Sequence, residues 1–470
     1  MVALGSVAKI VSKSDQMGLS VKNSASESFS DQKNTNSDEK YPDKDPFFSF
    51  EDLTASPESW DRQIKRKVLG DLGELMRENR WEDMVAIYYP VDEKMPDLVE
   101  AEMDVPVREK LAFALGQIQR FDDAIQELLV CVDKEPDNFF VRSSLAYTAY
   151  NSLYAAKNRK IFLAGKIRSK RIQLAHENFI KAQELRPDTI TNFYRHGMLL
   201  SQIENKPDKA LPMFRMACSN WEKLSDGEQA QRHQEKKNYI KSLYRLGSLL
   251  LQSGDGKGAL ERVNLCLGLD EKTNYVSLAF KYFALGKVHY KLGNYSEARN
   301  GLLFANQSTG RESKDFISEL LARTYLALGN AEKALKVIEQ IPQRFRRPYV
   351  RWTEADTLCT MQSFEKAMKV LAQSAEKDGR SRHKSLMRMA KISYLLKDYN
   401  ATMDYSKKAN AFFQGKWGNQ YNEGVFWQAL AAFRLAQHKK ARKLALQVKK
   451  NCRFYPKLDN LISMINNHSD

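Results

Sequence analysis

Cysteine and histidine are both scarce in this chain of 470 residues. The five cysteines are an odd number without a Cys-x-x-Cys pair, and there are only seven histidines. A disulfide framework or a structural zinc site needs closely spaced, paired residues of these types. We therefore expect buried structural thiols, such as Cys131 and Cys266, and neither a bound metal nor a cofactor.

Long apolar runs are missing as well. No stretch of 18 consecutive apolar residues occurs, and the first 13 residues lack the apolar segment of a secretory signal. These absences predict a soluble protein of a reducing compartment, without membrane insertion. We expect a cytoplasmic location.

Recognisable catalytic motifs are also lacking. There is no nucleophile elbow and no His-Glu-x-x-His sequence, and the glycine-rich stretch 254–258 matches a phosphate-binding loop only superficially. His289 lies where an aromatic side chain would pack within a helical repeat, so we interpret it as a core residue. The sequence predicts that this protein is not an enzyme.

Positive charge, in contrast, is abundant. The net charge is +16, and residues 1–60 contain six Lys/Arg against ten Asp/Glu, so the remainder carries about +20. Such a surplus favours an acidic partner, a nucleic acid or an anionic surface through long-range attraction that salt screens. A basic surface that only aids solubility is the open alternative.

The chain divides into a polar tail and a long helical region. Residues 1–58 are rich in Ser, Asp, Asn and Lys, a composition that buries too little apolar surface to offset the entropy of ordering, and we expect disorder there. The tail contains an apolar-acidic patch near residues 46–53. This patch either caps the first helix or acts as a short binding motif, for a partner or for the protein's own basic groove.

An alanine recurs in the same local sequence context. It comes after an aromatic residue or glycine and two polar residues, and a helical segment follows it. Apolar and small residues then repeat at i, i+3, i+4 and i+7, the spacing of one buried helical face. A small residue on the first helix of each unit lets the two helices approach closely, and a glycine supplies the turn between them. The recurring alanines are Ala124, Ala175, Ala210, Ala259, Ala298, Ala334, Ala367 and Ala441.

This pattern resembles the tetratricopeptide repeat (TPR) family, whose units are about 34 residues long. The resemblance covers residues 59–450 and includes about ten units. It implies an all-α fold, a right-handed α-solenoid of stacked helix–turn–helix repeats. Extra segments interrupt the period at about 157–173 and 225–239, where we expect longer helices, and residues 451–470 are expected to form a capping helix and a tail.

In TPR proteins the first helices of successive units line a concave face. Carried onto this chain, the resemblance implies a basic, aromatic-lined groove that also contains a few acidic residues, among them Asp356 and Glu423. Aromatic side chains beside Lys and Arg suit an acidic or extended peptide, and equally a single-stranded nucleic acid. The candidate partner-binding residues are Lys241, Tyr244, Arg245, Phe283, Lys287, Tyr290, Lys291, Arg323, Tyr349, Trp352, Lys384, Arg388, Lys391, Trp427 and Arg434.

The sequence thus favours a non-catalytic scaffold or adaptor that binds an acidic or extended segment of a partner protein. An RNA- or DNA-associated subunit of a nucleoprotein complex is one alternative, because basic tracts such as the 157–171 insertion could contact phosphates. A regulator that occludes a partner enzyme is another. The open alternative to all three is that the groove aromatics only pack between neighbouring units and bind no ligand.

Overall fold

The computed structural model describes residues 60–309 and 315–467, and these ranges contain helices and turns but no β-strand. The predicted disordered tail and its apolar-acidic patch lie outside the described residues. The α-helices, numbered in chain order, are α1 Trp60–Arg77, α2 Trp81–Tyr88, α3 Val91–Lys94, α4 Pro96–Glu100, α5 Val105–Gln117, α6 Phe121–Lys134, α7 Phe139–Lys157, α8 Gly165–Leu185, α9 Ile190–Met198, α10 Pro207–Glu222, α11 Asp226–Gln231, α12 His233–Gln252, α13 Gly256–Leu269, α14 Leu278–Lys291, α15 Tyr295–Gln307, α16 Asp315–Ala327, α17 Ala331–Glu339, α18 Pro348–Thr360, α19 Phe364–Lys377, α20 Arg382–Leu395, α21 Tyr399–Trp417, α22 Asn422–Arg434, α23 His438–Asn451 and α24 Leu458–Asn466.

The helices pair into ten successive hairpins, as the sequence predicts. In the described part of the chain the pairs are α1 with α2, α5 with α6, α7 with α8, α9 with α10, α12 with α13, α14 with α15, α16 with α17, α18 with α19, α20 with α21 and α22 with α23. First helices of neighbouring pairs also contact each other, as α9 contacts α12 and α16 contacts α18. The chain is therefore a TPR-like α-solenoid, with the first helices arranged along a common face.

The recurring alanine marks where the two helices of a hairpin meet. All eight of these alanines are completely buried. The facing position on the first helix is small for the same reason: a Cβ atom on Gly286 would lie 2.6 Å from Leu302 Cγ and 3.2 Å from the carbonyl oxygen of Ala298. The predicted close approach of the two helices is confirmed, and the repeated small residues are a packing requirement.

The turn inside each hairpin contains one residue in the left-handed conformation. In all ten hairpins, the second residue after the first helix (for α9, after the π-helical segment Leu199–Ile203 that continues it) has a positive φ. Glycine occupies this position in three hairpins, and Asn, Gln, Arg, Lys or Ala in the other seven. The turn glycines that the sequence predicts, Gly254, Gly293 and Gly329, are therefore confirmed, and the other seven turns use residues with a side chain. The left-handed conformation therefore recurs at this position whether or not the residue is glycine.

Replacing Gly293 with alanine is expected to destabilise the protein by about 1–2 kcal/mol, because the left-handed conformation costs a residue with a Cβ atom about that much. Gly293 has φ +81° and no atom lies within 4 Å of the added Cβ, so no clash contributes. Gly268→Ala is the control, because this exposed glycine within α13 also has no such neighbour, and alanine should stabilise the helix there by about 0.5–1 kcal/mol. Urea unfolding of both variants measures the difference, and equal midpoints would contradict the explanation.

The two extra segments become helix extensions and a short added helix. Residues 157–173 span the end of α7, a loop and the first turns of α8, which are 19 and 21 residues long. Residues 225–239 form α11, which begins with a reciprocal capping box between Ser225 and Glu228, and the first turns of α12. At the other end of the array, α24 buries Leu458, Leu461 and Ile465 against the core of α22 and α23.

Buried ion pairs interrupt the apolar core at several places in the described chain, among them Arg346 with Glu354. Arg108 on α5 is 1% exposed and forms ion pairs with Asp92, Asp104 and Glu127. Lys281 on α14 is 2% exposed and pairs with Asp270, which is completely buried. Periodicity alone does not reveal these pairs, since Arg108 and Lys281 occupy positions within otherwise regular repeats. Among the described residues, no helix has the length and apolarity needed to cross a membrane.

Candidate partner-binding groove

A cavity of about 390 Å³ opens between the first helices of three successive hairpins, α18, α20 and α22. Three of the predicted partner-binding residues, Lys384, Arg388 and Lys391, lie together in it. We call this cavity the α20 groove, and its lining residues are Asp356, Lys384, Met387, Arg388, Lys391, Tyr421 and Glu423.

The spacing of the three cations along α20 explains why they share the groove. They stand at i, i+4 and i+7, so a helix places them on one face. The opposite faces of α20 bury apolar residues such as Met389 and Ile392 against the neighbouring helices. Burial of the apolar side thereby orients the cationic side into the cavity.

Two of the cations are held by carboxylates from the adjacent hairpins. Arg388 Nε lies 3.1 Å from Asp356 Oδ1 on α18, and Lys391 Nζ lies 2.7 Å from Glu423 Oε1 on α22. Lys384 is exposed and makes no ion pair with a carboxylate of the described residues. The groove is therefore a mixed-charge surface with one uncompensated ammonium group, and less basic than the sequence alone indicates.

Glu423 is ionised at neutral pH despite its burial. Burial opposes ionisation, but hydrogen bonds from Lys391 and from the Tyr421 hydroxyl, at 2.6 Å, outweigh it and hold the pKa of the carboxyl below its ordinary value. Burial, together with this hydrogen bond to Glu423, raises the pKa of Tyr421. The Tyr421 hydroxyl therefore stays protonated and remains a donor to the carboxylate.

Two tryptophans flank the cations. The Lys384 ammonium and the Arg388 guanidinium lie 5.4 Å and 5.1 Å from the ring centre of Trp352, within the range of cation–π attraction. The Trp352 indole N–H donates to Ser385 Oγ at 2.7 Å, which fixes the ring. On the other side, Lys391 lies 5.7 Å from the ring centre of Trp427. The aromatic rings thus hold the cations in place and are only partly exposed.

The remaining predicted residues lie outside this cavity, along the same succession of first helices. Next to the α20 groove, Arg434 donates to the Tyr394 hydroxyl at 2.8 Å. Arg323 donates to the Tyr290 hydroxyl at 3.3 Å and lies over its ring. Both pairs join an arginine of one hairpin to a tyrosine of the preceding one, so these side chains also connect neighbouring units.

Several of the predicted aromatics pack into the array. Phe283 meets Phe316 of the next hairpin edge-to-face, with ring centres 4.7 Å apart. Burial and a hydrogen bond to Asp315 raise the pKa of Tyr349, and burial raises that of Tyr244. These rings are half-buried, as the packing interpretation expects.

The other predicted cations lie towards the N-terminal part of the array. Lys241 and Arg245 are half-buried on α12, while Lys287 and Lys291 follow on α14. Burial and the neighbouring Lys291 lower the pKa of Lys287. These residues and the α20 groove lie on different hairpins, so the fifteen candidates do not form one compact site.

Sequence reasoning placed Asp356 and Glu423 on the groove face but could not pair them with particular cations. It did not single out Tyr421 or Ser385, which orient Glu423 and Trp352. Ser385 stands one repeat after Trp352, and Tyr421 stands two residues before Glu423, and these positions were the available signal. In the described ranges, no group of His, Cys, Asp or Glu has the geometry of a metal site.

No family model and no curated protein sequence matches this chain. Solved structures with a similar fold include yeast Tom70, at 14% identity and a TM-score of 0.37, covering 87% of this chain and 96% of that one. A tetratricopeptide repeat protein from Parabacteroides merdae is 15% identical with a TM-score of 0.41, covering 62% and 98%. PilF of Pseudomonas aeruginosa is 15% identical with a TM-score of 0.38, covering 56% and 98%.

Proposed function

We propose that this TPR-like solenoid is a non-catalytic scaffold that binds an extended, acidic segment of a partner protein in the α20 groove. The observation that supports the proposal most strongly is the uncompensated Lys384 ammonium beside Trp352, at the mouth of a cavity with two further cations. A carboxylate of the partner would pair with Lys384, and the tryptophan would supply apolar contact area.

The mixed charge of the groove favours a peptide over a nucleic acid. Asp356 and Glu423 would repel a phosphate backbone, whereas they can accept hydrogen bonds from backbone N–H groups of a bound peptide. Their ion pairs with Arg388 and Lys391 also keep those cations in fixed positions before binding. Such preorganisation lowers the entropy cost of association.

Peptide selection tests this function directly. Random 12-residue peptides displayed on phage and selected on the full chain are expected to be enriched in Asp and Glu. Trp352→Ala should weaken the selected peptides about 30-fold, as a buried aromatic anchor does, and Lys384→Ala only about threefold, as an exposed ion pair does. Fluorescence anisotropy of a labelled selected peptide measures both affinities.

Two further variants make the result interpretable. Trp352→Phe keeps a ring at that position and should retain most of the affinity, which separates loss of the anchor from unfolding. Lys366→Glu changes an exposed lysine on the second helix of the neighbouring hairpin and should leave binding unchanged, whereas Lys384→Glu should weaken it. Selected peptides without acidic residues, or equal effects of the two charge reversals, would refute the proposal.

A further inference from the structure

A second cavity, of about 630 Å³, lies at the loop between α7 and α8, far along the chain from the α20 groove. Its volume falls within the range of about 300–1,000 Å³ typical of ligand pockets. We call it the α7–α8 cavity. Its lining residues are Ala156, Lys157, Arg159, Lys160, Ile161, Phe162, Leu163, Arg168, Gln202 and Ile203, without a carboxylate among them.

Positive charge at this cavity is uncompensated. Residues 157–170 include six exposed Lys and Arg side chains and no Asp or Glu, and none of the six forms an ion pair with a described carboxylate: Lys157, Arg159, Lys160, Lys166, Arg168 and Lys170. The next cation, Arg171, is buried and pairs with Asp122, so it belongs to the packing of the hairpins. The α20 groove differs, since there two of three cations have carboxylate partners.

Two of the cations are fixed on the neighbouring hairpin. Lys157 Nζ donates to the carbonyl oxygen of Gln202 at 2.7 Å, and Arg168 donates to that of Ile203 at 3.2 Å. Both carbonyls belong to the π-helical segment Leu199–Ile203. Partial burial and the nearby Arg245 lower the pKa of Lys157. Neutral carbonyls therefore orient the cations and leave their charge available.

An exposed aromatic ring forms one wall of the cavity. Phe162 is 90% exposed, although phenylalanine is a large apolar side chain that folding normally buries. The ring does not contribute to the core, and cationic side chains flank it on both sides in the sequence. A flat ring beside several cations is the arrangement that stacks an unpaired base and contacts the phosphates next to it.

We propose that the α7–α8 cavity binds single-stranded nucleic acid, with a base stacked on Phe162 and phosphates contacted by the surrounding cations. The concave shape accommodates a splayed-out nucleotide, whereas a flat lipid surface would not enter it. An acidic peptide would need acceptors for its backbone N–H groups, and the side-chain acceptor of the lining, Gln202 Oε1, already accepts from Lys157. The proposal is independent of peptide binding in the α20 groove.

Binding of a fluorescein-labelled ten-nucleotide oligo(dT) to the full chain tests the proposal by fluorescence anisotropy. Phe162→Ala is expected to weaken binding about tenfold, in line with the loss of one stacked base. An abasic deoxyribose-phosphate oligomer of equal length should bind equally to the wild type and to Phe162→Ala. Arg159→Ala/Lys160→Ala should lower the slope of log affinity against log salt by about 2, one unit per lost phosphate contact.

Matched variants elsewhere in the chain show whether the effect belongs to this cavity. Phe454 is 87% exposed and follows Arg453, so Phe454→Ala removes an equally exposed ring beside a cation and should not change oligonucleotide binding. Lys384→Glu in the α20 groove should also leave it unchanged. Phe162 is too exposed for its removal to unfold the protein, and circular dichroism would verify this.

Three results would overturn the proposal. The first is absence of oligo(dT) binding at low salt, and the second is an equal effect of Phe162→Ala and Phe454→Ala. The third is Phe162-dependent binding of polyglutamate or of phosphatidylserine vesicles that is tighter than binding of oligo(dT). That third result would assign the cavity to an acidic protein or to a lipid surface.

Discussion

Replacing Arg108 with methionine is expected to lower the free energy of unfolding by about 3–5 kcal/mol, the usual cost of breaking a buried ion pair. The guanidinium lies 2.5 Å from Asp104 and 2.6 Å from Glu127, which are 0% and 7% exposed, and it also pairs with Asp92. Methionine would fill much of the space but leave the carboxylates in the core without this cation. Only Lys134 would still pair with Asp104.

The loss of unfolding free energy in Arg108→Met, relative to the wild type, should depend on pH. Burial raises the pKa of Asp104, but Lys134 and Arg108 outweigh it and hold that pKa below its ordinary value. Asp104 therefore stabilises the wild type above about pH 4, and this contribution is lost as the pH falls. Without Arg108, the pKa values of Asp104 and Glu127 in the folded protein rise. Both then protonate more readily in the folded variant, and its deficit shrinks between about pH 7 and pH 4.

Urea unfolding at several pH values measures this dependence. Arg120→Met is the matched control, because Arg120 pairs with Asp123 on the surface, with 44% and 38% of the two side chains exposed. Its loss should cost no more than about 1 kcal/mol. A deficit of Arg108→Met that stays constant with pH would mean that cavity formation, and not unpaired charge, causes the loss.

Replacing Asp270 with alanine is expected to be comparably severe, at about 3–5 kcal/mol. This carboxylate accepts from the buried Lys281 ammonium at 3.0 Å and also orders the connection from α13 to α14. It accepts from Thr273 Oγ1 at 2.8 Å and from the backbone N–H groups of Tyr275 and Val276 at 2.7 Å and 2.9 Å. Alanine would remove every one of these acceptors. The buried Lys281 ammonium would keep only the backbone carbonyl oxygen of residue 270, which lies 2.7 Å from Lys281 Nζ in the wild type.

Two variants separate these contributions. Asp255→Ala removes an exposed carboxylate that caps α13 through the Gly258 N–H and should cost only about 1 kcal/mol. The double variant Asp270→Ala/Lys281→Met removes both buried charges, so it should be more stable than Asp270→Ala alone. Thermal unfolding of the three proteins measures the order of stability. A double variant that is less stable than Asp270→Ala would show that loop order, not unpaired charge, dominates.

The groove illustrates the limit of sequence reasoning at the level of single residues. The face of α20 that carries Lys384, Arg388 and Lys391 could be predicted, because their spacing is a local property of one helix. The pairing of Arg388 with Asp356 could not be predicted. The two residues belong to adjacent hairpins, and the distance between them depends on how neighbouring units stack. The same stacking decides that Phe283 is half-buried against Phe316 while Phe162 projects into solvent.

The hairpin architecture follows from the amino-acid sequence alone, because small and apolar residues recur with the period of a buried helical face and the alanines at the helix contact are completely buried. Which charges compensate one another depends on the tertiary structure. Many electrostatic partners come from different hairpins, as with Arg388 and Asp356 or Lys391 and Glu423. Their separations are set by the packing of the whole array, and a local pattern does not contain that information.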